Sequence, residues 1–244
     1  MCGRLNIANN EFSQALCNKL NVDLGLTSIV DNRFVRAASR VQIIREVKGE
    51  RKLQWATWWL LLEPSDGGFK PSRYTSFNTR YDKLNVPRSA GYQPFRQSRC
   101  IIPARGFGET EFEQKGSKKV PMHYHDFTAV NSAIAFGGLC KEYINKQTGE
   151  VTLGCSVITL PPHEKLMSMH SKASPLMLPQ DETLDAWLDR DNQNVAAFNT
   201  LLQPNIPQDL SAIEIDKPSH YKPIAEPVMI ARDSTEDDNE SCLG

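Results

Sequence analysis

An α+β fold, with a mostly antiparallel, barrel-like β-sheet core and peripheral helices, is predicted by three observations in this 244-residue chain. Short β-like runs recur along its whole length, helical patterns are few, and no strand–helix–strand rhythm links them. Asn9 or Asn10 can cap a first helix in which Phe12, Leu16 and Leu20 recur every four residues. Val41–Arg45 and the run from Leu53 to Trp55 flank Lys48-Gly49-Glu50 and read as a hairpin. Further strands are expected at Arg99–Pro103, Val120–Phe127, Ala133–Cys140 and Val151–Leu160. The last two are predicted to pair, because the loop Asn145–Gly149 between them is rich in turn residues. Helices are expected at Asp181–Asp189, with acids in its first turn, and at Asn194–Leu202. Ala212–Ile215 and Pro227–Ile230 read as short closing strands.

With 40% hydrophobic and 23% charged residues the chain has the make-up of an ordinary globular protein. It is expected to form one compact domain over 1–232, followed by an acidic, disordered tail over 233–244. The run Trp58-Trp59-Leu60-Leu61-Leu62 is too short to span a bilayer, and no secretory leader is visible. Six scattered cysteines without a Cys-x-x-Cys pair read as reduced thiols in a cytoplasmic protein. No cofactor and no membrane contact are expected, and the chain reads as a monomer. The net charge of −1 conceals a split: residues 1–120 carry a surplus of Lys and Arg, the remainder a surplus of Asp and Glu. An arginine-rich half suits a phosphate-bearing partner.

Cys2 is the most informative residue. Removal of Met1 would give it a free α-amine and a thiol on adjacent carbons. Such an amine, with a pKa of roughly 7.7–8.0, is partly unprotonated near neutrality and can attack an aldehyde. The thiol can then close onto the imine carbon to give a thiazolidine. The other reading of Cys2 is a small buried residue opening a first strand.

Four further stretches carry candidate chemistry. Asn78 and Arg80 share one face if their segment is extended, an amide beside a phosphate clamp. Glu109 follows an apolar strand and is preceded by Gly106 and Gly108, so a half-desolvated carboxylate is expected at a strand end. His170 precedes the apolar run Pro175-Leu176-Met177-Leu178 and has the ring chemistry to move protons near neutral pH. His123 and His125 share a strand face, but Asp126 points the other way, so no metal site is assigned. Trp55, Trp58 and Trp59 could stack nucleobases, with at least one of them in the core.

Taken together, these elements resemble the SOS-response-associated peptidase family, abasic-site-processing proteins that crosslink to single-stranded DNA. The likeness lies in the order of Met1-Cys2-Gly3-Arg4, Asn78-Thr79-Arg80, Pro103–Glu109, and Met169-His170 leading to Pro175–Leu178. It spans residues 1 to roughly 230. The resemblance implies a basic groove for single-stranded DNA and a covalent bond between Cys2 and the aldehyde of an abasic site. It implies that Asn78 and Glu109 position and deprotonate Cys2, that His170 assists sugar ring opening, and that Arg4, Arg80 and Lys172 contact phosphates. It also implies possible lyase and self-processing activity, and association with the nucleoid when DNA is bound.

The chain departs from the family pattern as a divergent member would. Gly108 and Thr110 flank the glutamate in place of aromatics, Asp82 replaces a glutamate, Lys172 replaces an arginine, and the tryptophan motif is reduced to Trp55-Ala56-Thr57-Trp58. Two other classes remain open. A glutamine amidotransferase with an N-terminal nucleophile would share Met1-Cys2-Gly3, but Arg4 and the lack of an Arg-Gly-Pro element speak against it. A non-enzymatic single-stranded DNA-binding module would use the arginines and tryptophans without Cys2. A measured mass that retained Met1 would remove the amine chemistry.

Overall fold

The computed structural model describes residues 3–25 and 27–234. Cys2, Cys242 and nearly all of the acidic tail lie outside them. In chain order, β1 (Arg4–Ile7) leads through α1 (Glu11–Lys19) to β2 (Asn32–Arg36), β3 (Arg40–Val47) and β4 (Glu50–Thr57). A small hairpin, β5 (Leu62–Ser65) and β6 (Gly68–Pro71), precedes β7 (Asn78–Arg80) and α2 (Tyr92–Gln97). Four long strands follow: β8 (Arg99–Ala104), β9 (Gly106–Lys115), β10 (Lys118–Ala129) and β11 (Ile134–Ile144). The chain continues through β12 (Val151–Leu160), β13 (Ser174–Pro175), α3 (Thr183–Leu188), β14 (Leu210–Ile215) and β15 (Val228–Ile230).

The fold is α+β and mostly antiparallel, around a closed five-stranded barrel. Strands β11, β8, β3, β4 and β12 are neighbours in that order, and β12 pairs with β11 to close the ring. The closing step between β4 and β12 is parallel and rests on the pair Thr57–Gly154. A second sheet, in the order β15-β14-β10-β9-β1-β2, packs beside the barrel. Every residue of β8 is buried, as a strand covered on both faces must be. Phe107 links the two layers. Its ring stacks on Phe127 at 4.7 Å and meets Phe136 of the barrel edge-on at 5.9 Å.

The first helix starts at the expected place. Asn10 caps it, and Ser13 returns a bond to the backbone of Asn10, a reciprocal capping box. The β3–β4 hairpin and the β11–β12 pair also lie where they are expected. The segment Asn194–Leu202 does not form an α-helix. It forms two 3₁₀ turns, Val195–Phe198 and Thr200–Leu202, that drop Phe198 and Leu202 into the core. With apolar anchors so close together, single turns bury them without a longer helix. Asp233, placed at the head of the tail by composition, is held at the surface of the fold. It accepts from the backbone of Ile206 at 2.8 Å, pairs with His163 at 2.8 Å and with Lys165 at 2.7 Å.

Candidate active site

Sheet register brings the candidate chemistry together. In the second sheet Arg4 of β1 and Asp126 of β10 both sit opposite Gly108 of β9, and Glu109 sits opposite His125. Alternation along β9 therefore sends Glu109 and Glu111 to one face and Gly108 and Thr110 to the other. The segment before β13 crosses the first face and delivers His170, whose backbone N–H bonds the Leu166 carbonyl at 2.7 Å. His170 Nε2 lies 3.6 Å from Glu109 Oε2, and its Nδ1 lies 3.6 Å from Glu111 Oε2. Both Glu109 and His170 are buried.

A cleft of ≈ 350 Å³ opens above this pair. Gly3, Arg4, Phe77, Gly108, Glu109, Thr110, Phe112, Lys119, His170 and Lys172 line it. Phe112 and the two lysines are exposed, and Lys172 lies 5.1 Å from the centre of the Phe112 ring. An aromatic face beside two cations at the mouth of a cleft with an acid floor can take a ring or base edge together with a phosphate.

Arg4 is buried and turned into the protein. Its guanidinium donates to Thr110 Oγ1 at 2.9 Å and to the Glu109 carbonyl oxygen at 3.0 Å. It lies across Gly108, where a Cβ would come within 2.5 Å of its Nε. The missing side chain at 108 leaves room for Arg4 in this position. Burial raises the Glu109 carboxyl to about 7 against the opposing pull of Arg4. Burial lowers the His170 ring to about 3, with Lys172 and His125 adding to the effect. At neutral pH the imidazole is therefore uncharged, and the titrating member of the pair is the glutamate.

On the opposite sheet face lies a second buried carboxylate. Asp126 accepts from Asn6 Nδ2 at 2.7 and 2.8 Å and from the Tyr221 hydroxyl at 2.6 Å. Burial raises its pKa to about 6. These bonds clamp β1 to β10 from below and hold Arg4 and the strand that leads from Cys2 in place.

The profile of the family described as SOS response associated peptidase (SRAP) matches residues 1–218. The chain belongs to this family. It is 27% identical to abasic site processing protein YoqW of Bacillus subtilis over 88% of this chain and 92% of that protein. Its identity to abasic site processing protein YobE of the same organism is 28%, over 58% of this chain and 62% of that one. A solved protein of Bacteroides thetaiotaomicron, 21% identical, shares the fold with a TM-score of 0.60 over 87% of this chain and 91% of its own. A phage-related protein of Bordetella bronchiseptica, 16% identical, does so with a TM-score of 0.64 over 93% and 100%.

In this SRAP chain the sequence-predicted residues divide into three groups. Glu109, His170 and Lys172 meet in the cleft. Asn78 lies in β7, next in sequence to Phe77 of the cleft wall, and pairs along the barrel with Val157. The reading of Cys2 falls outside the described residues. In the third group the readings of Trp58 as a stacking residue and of Glu109 at a strand end are corrected, and Trp55, Arg4 and Arg80 take the positions that follow. Trp58 is fully buried and donates to the Phe77 carbonyl at 2.8 Å, so it cannot stack a base. Trp55 is exposed, but it lines a separate depression with Val30, Gln54 and Val151. Arg4 braces the β1–β9 edge from inside and also lines the cleft. Arg80 is exposed, and the Nε–Nη2 edge of its guanidinium is bound by Asp82 at 3.0 and 2.8 Å. Glu109 is also not at a strand end: β8 stops at Ala104 and Glu109 lies within β9. Sequence reasoning assigned no role to Glu111, Phe112 and Lys119. The alternation Glu109, Glu111, Glu113 was the signal for the first, because period two puts successive acids on one strand face.

Proposed function

We propose that the cleft receives an abasic site of single-stranded DNA and that Cys2, freed by removal of Met1, traps its aldehyde as a thiazolidine. The observation that carries this is the buried Glu109–His170 pair on the floor of a cleft lined by Gly3, the residue to which Cys2 is peptide-bonded. Family membership, and relatives named as abasic site processing proteins, support the substrate class.

The abasic sugar is mostly a closed hemiacetal. Opening it moves a proton to the ring oxygen and removes one from the anomeric hydroxyl. Glu109, with its pKa near 7, suits both transfers, and the neutral imidazole of His170 faces its carboxyl and orients the proton it carries. The Cys2 amine, relieved of a proton, adds to the aldehyde carbon, and loss of one water gives the imine. The thiolate then adds to the imine carbon and the nitrogen takes a proton, closing the five-membered ring. An imine not captured by the thiol permits β-elimination of the 3′ phosphate, the lyase outcome. In this reading the peptidase of the family name is self-removal of Met1.

The test is denaturing electrophoresis after mixing the protein with abasic single-stranded DNA. Wild type should begin at Cys2 by intact mass and give a heat-stable adduct. Cys2→Ala should give only an imine that borohydride can trap. An equally durable adduct from Cys2→Ala without borohydride would overturn the mechanism. A retained Met1 with salt-sensitive DNA binding and no adduct would leave only a binding module.

A further inference from the structure

His170 is buried and faces a carboxylate on each side of its ring, Glu109 at Nε2 and Glu111 at Nδ1, both at 3.6 Å. The two acids are two residues apart on β9, so one strand face presents both. Glu111 is itself held. The Ser171 hydroxyl bonds its Oε1 at 3.2 Å, and the Ser171 backbone N–H approaches its Oε2 at 3.5 Å. Ser171 follows His170 directly, so the ring and the acid that faces it are fixed by one short stretch of chain.

A neutral imidazole carries one proton and must place it on one of two nitrogens; the group hydrogen-bonded or charged beside each nitrogen decides which. We propose that Glu111 is a positioning residue for His170: its carboxylate, braced by Ser171, fixes the ring proton on Nδ1 and so presents the Nε2 lone pair to Glu109. This rests on the reading of the cleft given above. The tautomer matters because an Nε2 that already carries hydrogen cannot present a lone pair to the protonated Glu109 carboxyl and so cannot orient its proton. The charged and titratable groups facing this pair are Arg4 on β1, Glu111 on β9, His125 on β10, and Lys172 beyond the histidine. Among the described residues, Glu111 combines a negative charge with a position at Nδ1. Its negative charge also raises the Glu109 carboxyl, an effect secondary to burial.

Two experiments on the full-length chain test the assignment. The first is the pH dependence of adduct formation on abasic single-stranded DNA for wild type, Glu111→Gln and Glu111→Asp. Glu111→Gln should lower the plateau rate by roughly tenfold, within the range for disturbing a general acid–base group. It should also move the acid-side midpoint of the profile to lower pH, because Glu109 loses a neighbouring negative charge. Glu111→Asp should recover part of both. A slower rate with an unmoved midpoint would mark Glu111 as merely structural, and an unchanged rate would remove the role. The second needs no reaction. ¹⁵N imidazole shifts of His170 should show the Nδ1–H tautomer in wild type and a mixture or the Nε2–H form in Glu111→Gln. The Nε2–H form in wild type would overturn the proposal even if adducts form. Absence of adducts alongside the Nδ1–H form would overturn the DNA reading and leave the positioning role standing.

Discussion

Glu109 and His170 oppose each other in the way burial acts on an acid and a base. A carboxyl raised from 4.5 to about 7 keeps a proton in the native state that the unfolded chain releases, so stability falls as pH rises through that window. A ring lowered from 6.5 to about 3 refuses a proton that the unfolded chain binds, so stability falls as pH drops through that window. Each slope is at most about 1.4 kcal/mol per pH unit, and between roughly pH 4.5 and 6.5 they cancel. Glu109→Gln should remove the first and expose the second. Asp126, also raised by burial, contributes equally to both proteins, so the readout is the difference: the urea midpoint of Glu109→Gln should fall relative to that of wild type on going from pH 6.5 to 5. The same pH dependence in both proteins would contradict the assigned shifts. The identity of this acid–base pair was legible in the sequence, but its protonation was not. The sequence suggested a histidine that titrates near neutrality, and only burial, which depends on strands remote in the chain, shows that the glutamate does so instead. Trp58 makes the same point. A tryptophan reads as a base-stacking candidate until its indole N–H is seen bound to Phe77 in the core.

Strand β9 is the element that sequence patterns conceal best. Gly106 and Gly108 lower its strand propensity and suggest a turn, yet both are needed within a ladder. A Cβ at 106 would strike the Phe127 carbonyl oxygen, and one at 108 would meet the Arg4 guanidinium. The backbone at 108 could accept an alanine, so its effect would come from Arg4 alone. Gly108→Ala should displace Arg4 from Thr110 and from the Glu109 carbonyl, costing about 1–3 kcal/mol as an overpacked core site. It should also slow adduct formation. Thermal unfolding and a time course on the same preparation check both effects, and a variant with wild-type stability would show that Arg4 has room elsewhere. The capped helix and the alternating hairpins were readable because their signals are local. The 3₁₀ turns near Phe198 were not, because what shortens them is the packing of Phe198 against Trp187, at 5.3 Å between ring centres.

At the scale of the whole molecule, part of the arginine surplus of the first half is bound within the fold. Arg45 pairs with Glu142 and Arg51 with Asp185, while Arg99 donates to the carbonyls of Trp187, Phe95, Arg96, Asp189 and Asn192. A surplus in composition therefore overstates the charge offered to a phosphate chain. Lys119 and Lys172 stand at the cleft mouth and should carry the salt dependence of single-strand binding. Lys119→Ala and Lys172→Ala should each flatten the log–log salt slope by about 0.7, the release expected for one phosphate contact on a single strand. Arg80→Ala should flatten it less, since Asp82 already holds that fork. Equal slopes for all four proteins, measured by fluorescence anisotropy, would place the phosphate path elsewhere.

The barrel seam has a consequence in time. The β3–β4 and β11–β12 hairpins join residues close in the chain, whereas Thr57 and Gly154 must meet from distant parts of it. Contacts that close long loops form late in folding. Gly154 fits the seam only because it lacks a Cβ, which would press on the Trp59 and Leu60 carbonyls. Three residues beyond it, Val157 pairs with Asn78, so the wall carrying Asn78 and Phe77 is set only once the ring is shut. A half-folded or newly made chain thus lacks the cleft, and the wall beside Glu109 and His170 arrives together with the native state.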